Sequence, residues 1–282
     1  MTRVTPAELE RHALAALVAH GATAENARPV ARAIARAEAE GNRVCGLFYL
    51  PLFCDQLKSG KIDGRARPAV ATDRSFVRVN ARHGFAHPAI EAGLPQLIET
   101  ARAHAIAAMT VSNSGNCLAL GHHVRPLAEA GLIGLCMSNA PASVAPPGAT
   151  RKVFGTNPLA FAVPFSDGPP ILVDQSLSAV TKTEIILRAR RSEPIPPDWG
   201  QDAAGQPTTD PAAALAGSLL PAGRQKGANI ALLVEILAAA LTGSRLSSEA
   251  SGFGDTEGGP PAVGQFLIAI DPAVGGDSRA LT

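Results

Sequence analysis

Apolar positions over residues 5–20 recur at roughly helical spacing, with Leu9, Leu14, Leu17 and Val18 on one stripe. Thr5-Pro6-Ala7-Glu8 forms a capping box with Pro at the first helical position, and Gly21 ends the element. Thr23 caps a second predicted helix, whose small apolar face is Ala27, Val30, Ala31, Ile34 and Ala37, and which stops at Gly41. Arg32, Arg36, Glu38 and Glu40 read as its solvated face. A third helix runs to Gly60 after Val44-Cys45-Gly46-Leu47-Phe48-Tyr49-Leu50-Pro51.

From Phe76 the pattern changes to alternation, Phe76-Val77-Arg78-Val79-Asn80, which predicts a strand. A helix over Pro88–Ala105 and a buried strand over Ile106–Val111 follow. Gly121–Ala130 reads as a helix. Ile133–Ser138, Leu159–Val163 and Pro170–Asp174 read as strands joined by Gly/Pro loops, with a helix then running to Arg191. Residues 192–228 are polar and rich in Pro and Gly, and they predict a long loop. An apolar helix over Ala228–Leu241 and a last strand over Gln265–Ile270 complete the pattern, and the tail from Gly275 reads as frayed.

Irregular alternation of helices and strands predicts a mixed α/β class. The expected organisation is a helical N-terminal region (1–75) packing with the C-terminal part, a central α/β domain (76–228) that binds cofactor and substrate, and a C-terminal helix and strand (229–282).

Of the 282 residues, 46% are hydrophobic and 17% charged, enough for a sizeable core and contrary to disorder. A net charge of +1 creates no field for nucleic acid or anionic lipid, and 4% aromatics argue against a base-stacking surface. The apolar run Ile230–Leu241 contains Glu235 and is too short to cross a bilayer. No basic start followed by an apolar stretch marks a signal peptide. Cys45, Cys54, Cys117 and Cys136 show no C-x-x-C spacing, which predicts reduced thiols in a cytoplasm.

The dinucleotide fingerprint, the phosphate-binding P-loop and the nucleophile elbow are all missing; Gly252-Phe253-Gly254 has no flanking strand and helix. Gly121-His122-His123 at a helix start is either an anion site or a surface pair. His83 and His87 lack one common helical face, and no metal site is expected. Cys45, at a helix entry, is either a thiol activated by the helix dipole or a small buried hydrophobe. Thr156 and Asn157 offer neutral donors for a carboxylate, or simply make a turn. Asp174 ends an apolar strand, where a carboxylate is costly unless paired or working, and Ser176 and Ser178 after it suit phosphate oxygens. The stretch Ser218–Gly227, with Arg224, Lys226 and Gly227 before the apolar helix, suits an anionic cofactor or is a plain basic loop.

Taken in order along essentially the whole chain, these segments resemble the type-2 malate/L-lactate dehydrogenase family, whose relatives include sulfolactate and ureidoglycolate dehydrogenases and cyclic imino-acid reductases. The resemblance is carried by Gly46-Leu47-Phe48, Gly84-Phe85-Ala86, Leu120-Gly121-His122-His123, Ser138-Asn139-Ala140-Pro141, Gly155-Thr156-Asn157-Pro158, Val173-Asp174-Gln175-Ser176, Pro207-Thr208-Thr209-Asp210-Pro211, Lys226-Gly227 and Ile268-Ala269-Ile270-Asp271-Pro272. It implies a fold that binds NAD or NADP without a Rossmann motif. It also implies a homodimer, and hydride transfer between the nicotinamide and a small 2-hydroxy acid, 2-oxo acid or cyclic imino acid. By the same resemblance Gly121, His122, His123, Asp174, Ser176, Ser178, Lys226 and Gly227 serve the cofactor. Cys45 and Asp174 stand at catalytic positions, and Tyr49, Thr156 and Asn157 at substrate positions.

The family's Ser-His pair is Val44-Cys45 here, and its carboxylate-holding Arg is Tyr49. Valine makes no hydrogen bond, a thiol near 8.5 is a poor substitute for an imidazole near 6.5, and Tyr is uncharged. Family chains continue past the last strand with a segment that helps complete the cofactor site, whereas this sequence ends at Thr282. Two alternatives therefore stand beside the oxidoreductase: a silent homologue that binds a ligand or partner, and a lyase or cyclase using Cys45.

Overall fold

The computed structural model describes residues 4–275; the tail expected to fray lies outside the described residues. Helices α1 (Pro6–Ala19), α2 (Ala24–Ala39) and α3 (Tyr49–Ser59) come first along the chain, α1 with its capping box closed by Thr5 and Glu8. A hairpin of β1 (Ala69–Asp73) and β2 (Phe76–Asn80) follows, then α4 (Ala86–His104), β3 (Ile106–Ser114) and α5 (Gly121–Glu129). Strands β4 (Ile133–Ser138), β5 (Leu159–Val163) and β6 (Ile171–Gln175) lead to α6 (Lys182–Arg190).

The stretch 192–228, expected to be one loop, carries β7 (Gly200–Gln201), α7 (Pro211–Ala216) and β8 (Ser218–Leu219), and α8 (Gln225–Val234) begins inside it. Asp210 caps α7 through a side-chain bond to the Ala212 N–H, and Pro211 occupies its first turn. The apolar helix expected over 228–241 starts three residues earlier and loosens into a π-helical turn over Glu235–Ala240. Strand β1 had no signal because Ala69–Asp73 is largely exposed and pairs on one side only.

Strand β9 (Val263–Ile270) lies in the middle of the seven-stranded sheet, ordered β1-β2-β3-β9-β4-β5-β6. It pairs antiparallel with both β3 and β4, so residues 229–275 share one sheet with the segment 76–228. Alternation along these strands separates two cores. Cys136, Leu267 and Ala269 face α4 and α5, while Met137, Phe266 and Ile268 pack with α8 and the π-helical turn. A third core joins α1–α3 to Phe85 and Leu118.

Candidate active site

A cavity of about 320 Å³ is lined from four directions: the 42–52 segment, the loop after β3, the loops around Ser138 and Thr156, and α6 with Phe253. Its volume is that of a small-molecule site. Cys45, Tyr49, Thr156, Asp174 and Ser176 all line it, so five of the sequence-derived site residues come together.

Cys45 ends a single 3-10 turn, Arg43–Cys45, four residues before α3 begins at Tyr49, and does not itself open a helix as expected. Burial, the nearby Asp174 carboxylate and Cys117 push its thiol up to about 12, with Asn42 pulling weakly the other way. The thiol therefore stays protonated at neutral pH, which removes the activated nucleophile that a lyase or cyclase would need. Burial also raises the Tyr49 hydroxyl, against hydrogen bonding from Thr183 and Asn116.

Asp174, the penultimate residue of β6, reaches the start of α5, where its Oδ2 accepts the Gly121 N–H at 2.8 Å. Its pKa is raised by desolvation, opposed by the N–H groups of Gly121 and Leu120. The anion expected at this helix start is thus the chain's own carboxylate. A Cβ at Gly121 would lie 2.8 Å from Leu172 Cδ2, so the glycine serves the close approach of β6.

Several expected site residues lie away from the cavity. Asn157 is fully buried; its Nδ2 donates to Ala231 O at 3.0 Å and to Glu235 Oε2 at 2.8 Å. It holds the 155–158 loop to α8 and cannot reach a substrate. Ser178 is buried and its Oγ donates to Val180 O at 2.6 Å. Lys226 is exposed outside the cavity lining, and a Cβ at Gly227 would run into the Ala222 carbonyl, so that glycine packs the start of α8. His123 is buried, with Nε2 donating to Cys117 O at 2.9 Å. His122 stacks edge-on against it, and both rings face His87 rather than the cavity. Among the described residues no three His, Cys, Asp or Glu side chains converge to hold a metal ion.

The lining also contains residues that sequence reasoning passed over. Ser138 and Asn139 come from the end of β4, where Asn139 Oδ1 accepts the Gly264 N–H at 2.9 Å. Lys182 and Arg190 come from α6, and they are the only cations among the described lining residues. Thr183, Ile186 and Arg190 are spaced three and seven apart, a helical stripe visible in the sequence once α6 is known to border a site.

A model of the malate/L-lactate dehydrogenase family matches residues 4–282, and the chain belongs to that family. It is accordingly an NAD(P)-dependent oxidoreductase. It is 44% identical to an NADP-dependent (2R)-3-sulfolactate dehydrogenase of Chromohalobacter salexigens, over 94% of this chain and 80% of that one. It is 42% identical to a Delta(1)-pyrroline-2-carboxylate reductase of Ancylobacter novellus, over 92% of this chain and 76% of the relative. The crystal structure of delta1-piperideine-2-carboxylate reductase from Pseudomonas syringae superposes with a TM-score of 0.95 at 37% identity, covering all of this chain and 86% of that one. Among the described residues no helix is long and apolar enough to cross a membrane.

Proposed function

We infer that the protein reduces small cyclic imino acids with a nicotinamide cofactor, handles 2-oxo acids more slowly, and works as a homodimer in the cytoplasm. The observation that carries the substrate preference is the Cys45 thiol, raised to about 12 where the family resemblance places an imidazole. Reducing a ketone makes an alkoxide that must receive a proton in the same step, and loss of a matched acid typically removes ~10²–10⁴ of rate. A protonated cyclic imine brings its own proton: hydride adds to carbon, the C=N π pair goes to nitrogen, and a neutral amine results. No proton from position 45 is needed. Asp174, close enough to raise the Cys45 thiol, favours the cationic imine over the neutral one.

The bound cofactor supplies or accepts the hydride. The cavity suits it, because Lys182 in the lining would balance phosphate charge and the Thr156 side chain would offer a neutral polar contact. Cys45, Tyr49 and Phe48 then form the low-dielectric substrate side. The imino-acid relatives are named for pyrroline- and piperideine-2-carboxylate, so these are the first substrates to try.

The test follows nicotinamide absorbance with pyrroline-2-carboxylate, pyruvate and sulfopyruvate in parallel. Faster consumption with the imine is expected; turnover of the oxo acids alone would overturn the reading. Homodimer formation is supported by Ile230, Leu232, Leu233, Ile236 and Leu241, each 41–51% exposed on one continuous apolar helix. Ile236→Asp is expected to shift the species seen by light scattering from dimer to monomer. The cytoplasm is supported by four unpaired cysteines, three of them buried.

A further inference from the structure

The proposed substrates are acids, yet the residue at position 49 is Tyr, which carries no charge. Arg190 is the arginine among the described lining residues, and its Cζ sits 5.7 Å from the Phe48 ring centroid. Phe48 in turn meets Tyr49 edge-on, with ring centroids 5.4 Å apart. Helix α6 therefore spans the substrate side: Thr183 acts on the Tyr49 hydroxyl, and Arg190, two turns on, lies over Phe48.

Arg190 makes no ion pair among the described residues, while the local acids are taken. Arg188 binds Glu184 at 3.0 Å and Glu193 at 3.6 Å. The other lining cation, Lys182, opens α6, at the opposite end of the helix from Arg190. An arginine held by its face against a ring keeps its edge N–H groups free, and that planar fork matches a carboxylate bidentately.

We propose that Arg190, oriented by Phe48, receives the carboxylate of the substrate. It reaches in from α6 with the charge that Tyr49 does not supply from α3. This rests on the imino-acid reading above and extends it: the preferred ligand is a small planar ring with a carboxylate beside the reacting carbon.

The test titrates pyrrole-2-carboxylate, which is planar and cannot accept hydride, into enzyme saturated with NADPH, for wild type, Arg190→Gln and Arg190→Lys. Pyrrole-2-carboxamide serves as the uncharged control. Wild type is expected to prefer the carboxylate. Arg190→Gln should weaken it roughly 10–100-fold, as loss of a charge-assisted pair does. It should also erase the preference over the amide, and Arg190→Lys should fall between. In turnover the change should appear mainly in KM, with cofactor affinity held within a few-fold. Equal carboxylate binding by wild type and Arg190→Gln would overturn the proposal. An equal loss of NADPH affinity would also overturn it, by assigning the arginine to a cofactor phosphate. The two readings fail separately. An enzyme that reduces only oxo acids but loses carboxylate affinity in Arg190→Gln sinks the imino-acid preference and keeps Arg190. Imine turnover unaffected by Arg190→Gln does the reverse.

Discussion

Two buried polar clusters lie behind the cavity lining, and they are built on opposite terms. On one side Glu235, in the π-helical turn, accepts from Asn157 Nδ2 at 2.8 Å, from Ser247 Oγ at 2.6 Å and from the Ser247 N–H at 2.5 Å. Every donor that faces the carboxylate is used, and the bonds tie Asn157, between the lining residues Thr156 and Pro158, to α8. On the other side His87, His122 and His123 pack with ring centroids 5.1–6.2 Å apart. Both ring nitrogens of His87 and Nδ1 of His122 are buried without a partner, and only His123 makes a bond, to the carbonyl of Cys117 in the cavity lining. A buried polar group stabilises only when its partners are all present. The first cluster is thus a clamp, and the second is held by ring packing and a single hydrogen bond.

The sharpest way to break this comparison is Glu235→Ala. It leaves the Asn157 amide and the Ser247 N–H and hydroxyl facing a void, and a loss of about 3 kcal/mol is expected in urea unfolding. A loss under ~1 kcal/mol would mean that the clamp is not one.

The histidines respond to acid. Burial lowers all three: His87 well below its usual range, His122 to about 3 and His123 to about 4. His87 and His122 are pushed further by their neighbouring rings, and His122 also by Arg36, Arg32 and Arg125. Their unfolded values are near 6.5, so the unfolded chain binds more protons as pH falls. The stability they leave intact is full above about pH 6.5 and drains below it, by up to ~1.4 kcal/mol per pH unit for each histidine until the folded values are reached. Unfolding free energy measured across that window should show this slope.

His87→Leu should act in the opposite sense to the clamp variant, raising stability at neutral pH by about 1 kcal/mol. It deletes two unpaired ring nitrogens while keeping an apolar side chain in place. It should also flatten the acid slope, and a destabilised variant would show that the ring does more than fill space. Asp174→Ala takes the acceptor from the Gly121 N–H at the start of α5 but also removes a carboxylate disfavoured by burial, so stability should change by less than about 1 kcal/mol. Smallest in energy is a chemical readout: with its thiol near 12, Cys45 should alkylate far more slowly at neutral pH than a free cysteine, followed by mass spectrometry.

The legible part of this molecule was the part governed by local rules. Capping boxes, helical stripes and alternation located α1, α2, β2 and β4 within a residue or two, because their apolar faces repeat along the chain. Elements without a local apolar pattern were not legible. Strand β8 and the bridge from Val144 to Leu219 depend on residues about 75 positions apart, and β1 shows almost no burial.

The same division runs through the site. The sequence alone determined the family segments, the absence of a Rossmann fingerprint, and the replacement of the expected Ser, His and Arg by Val44, Cys45 and Tyr49. It also picked out Asp174 and Thr156 as lining residues. Only the tertiary structure decided that Asp174 occupies the helix start offered to an anion, that Asn157 is sealed against Glu235, and that His122 and His123 face His87. It alone brought Arg190 over Phe48, across 142 positions of sequence. Residue type sets what a group can do and local pattern sets its element. The direction in which a side chain points, and the charge or dipole it meets there, depend on contacts between elements distant in the chain.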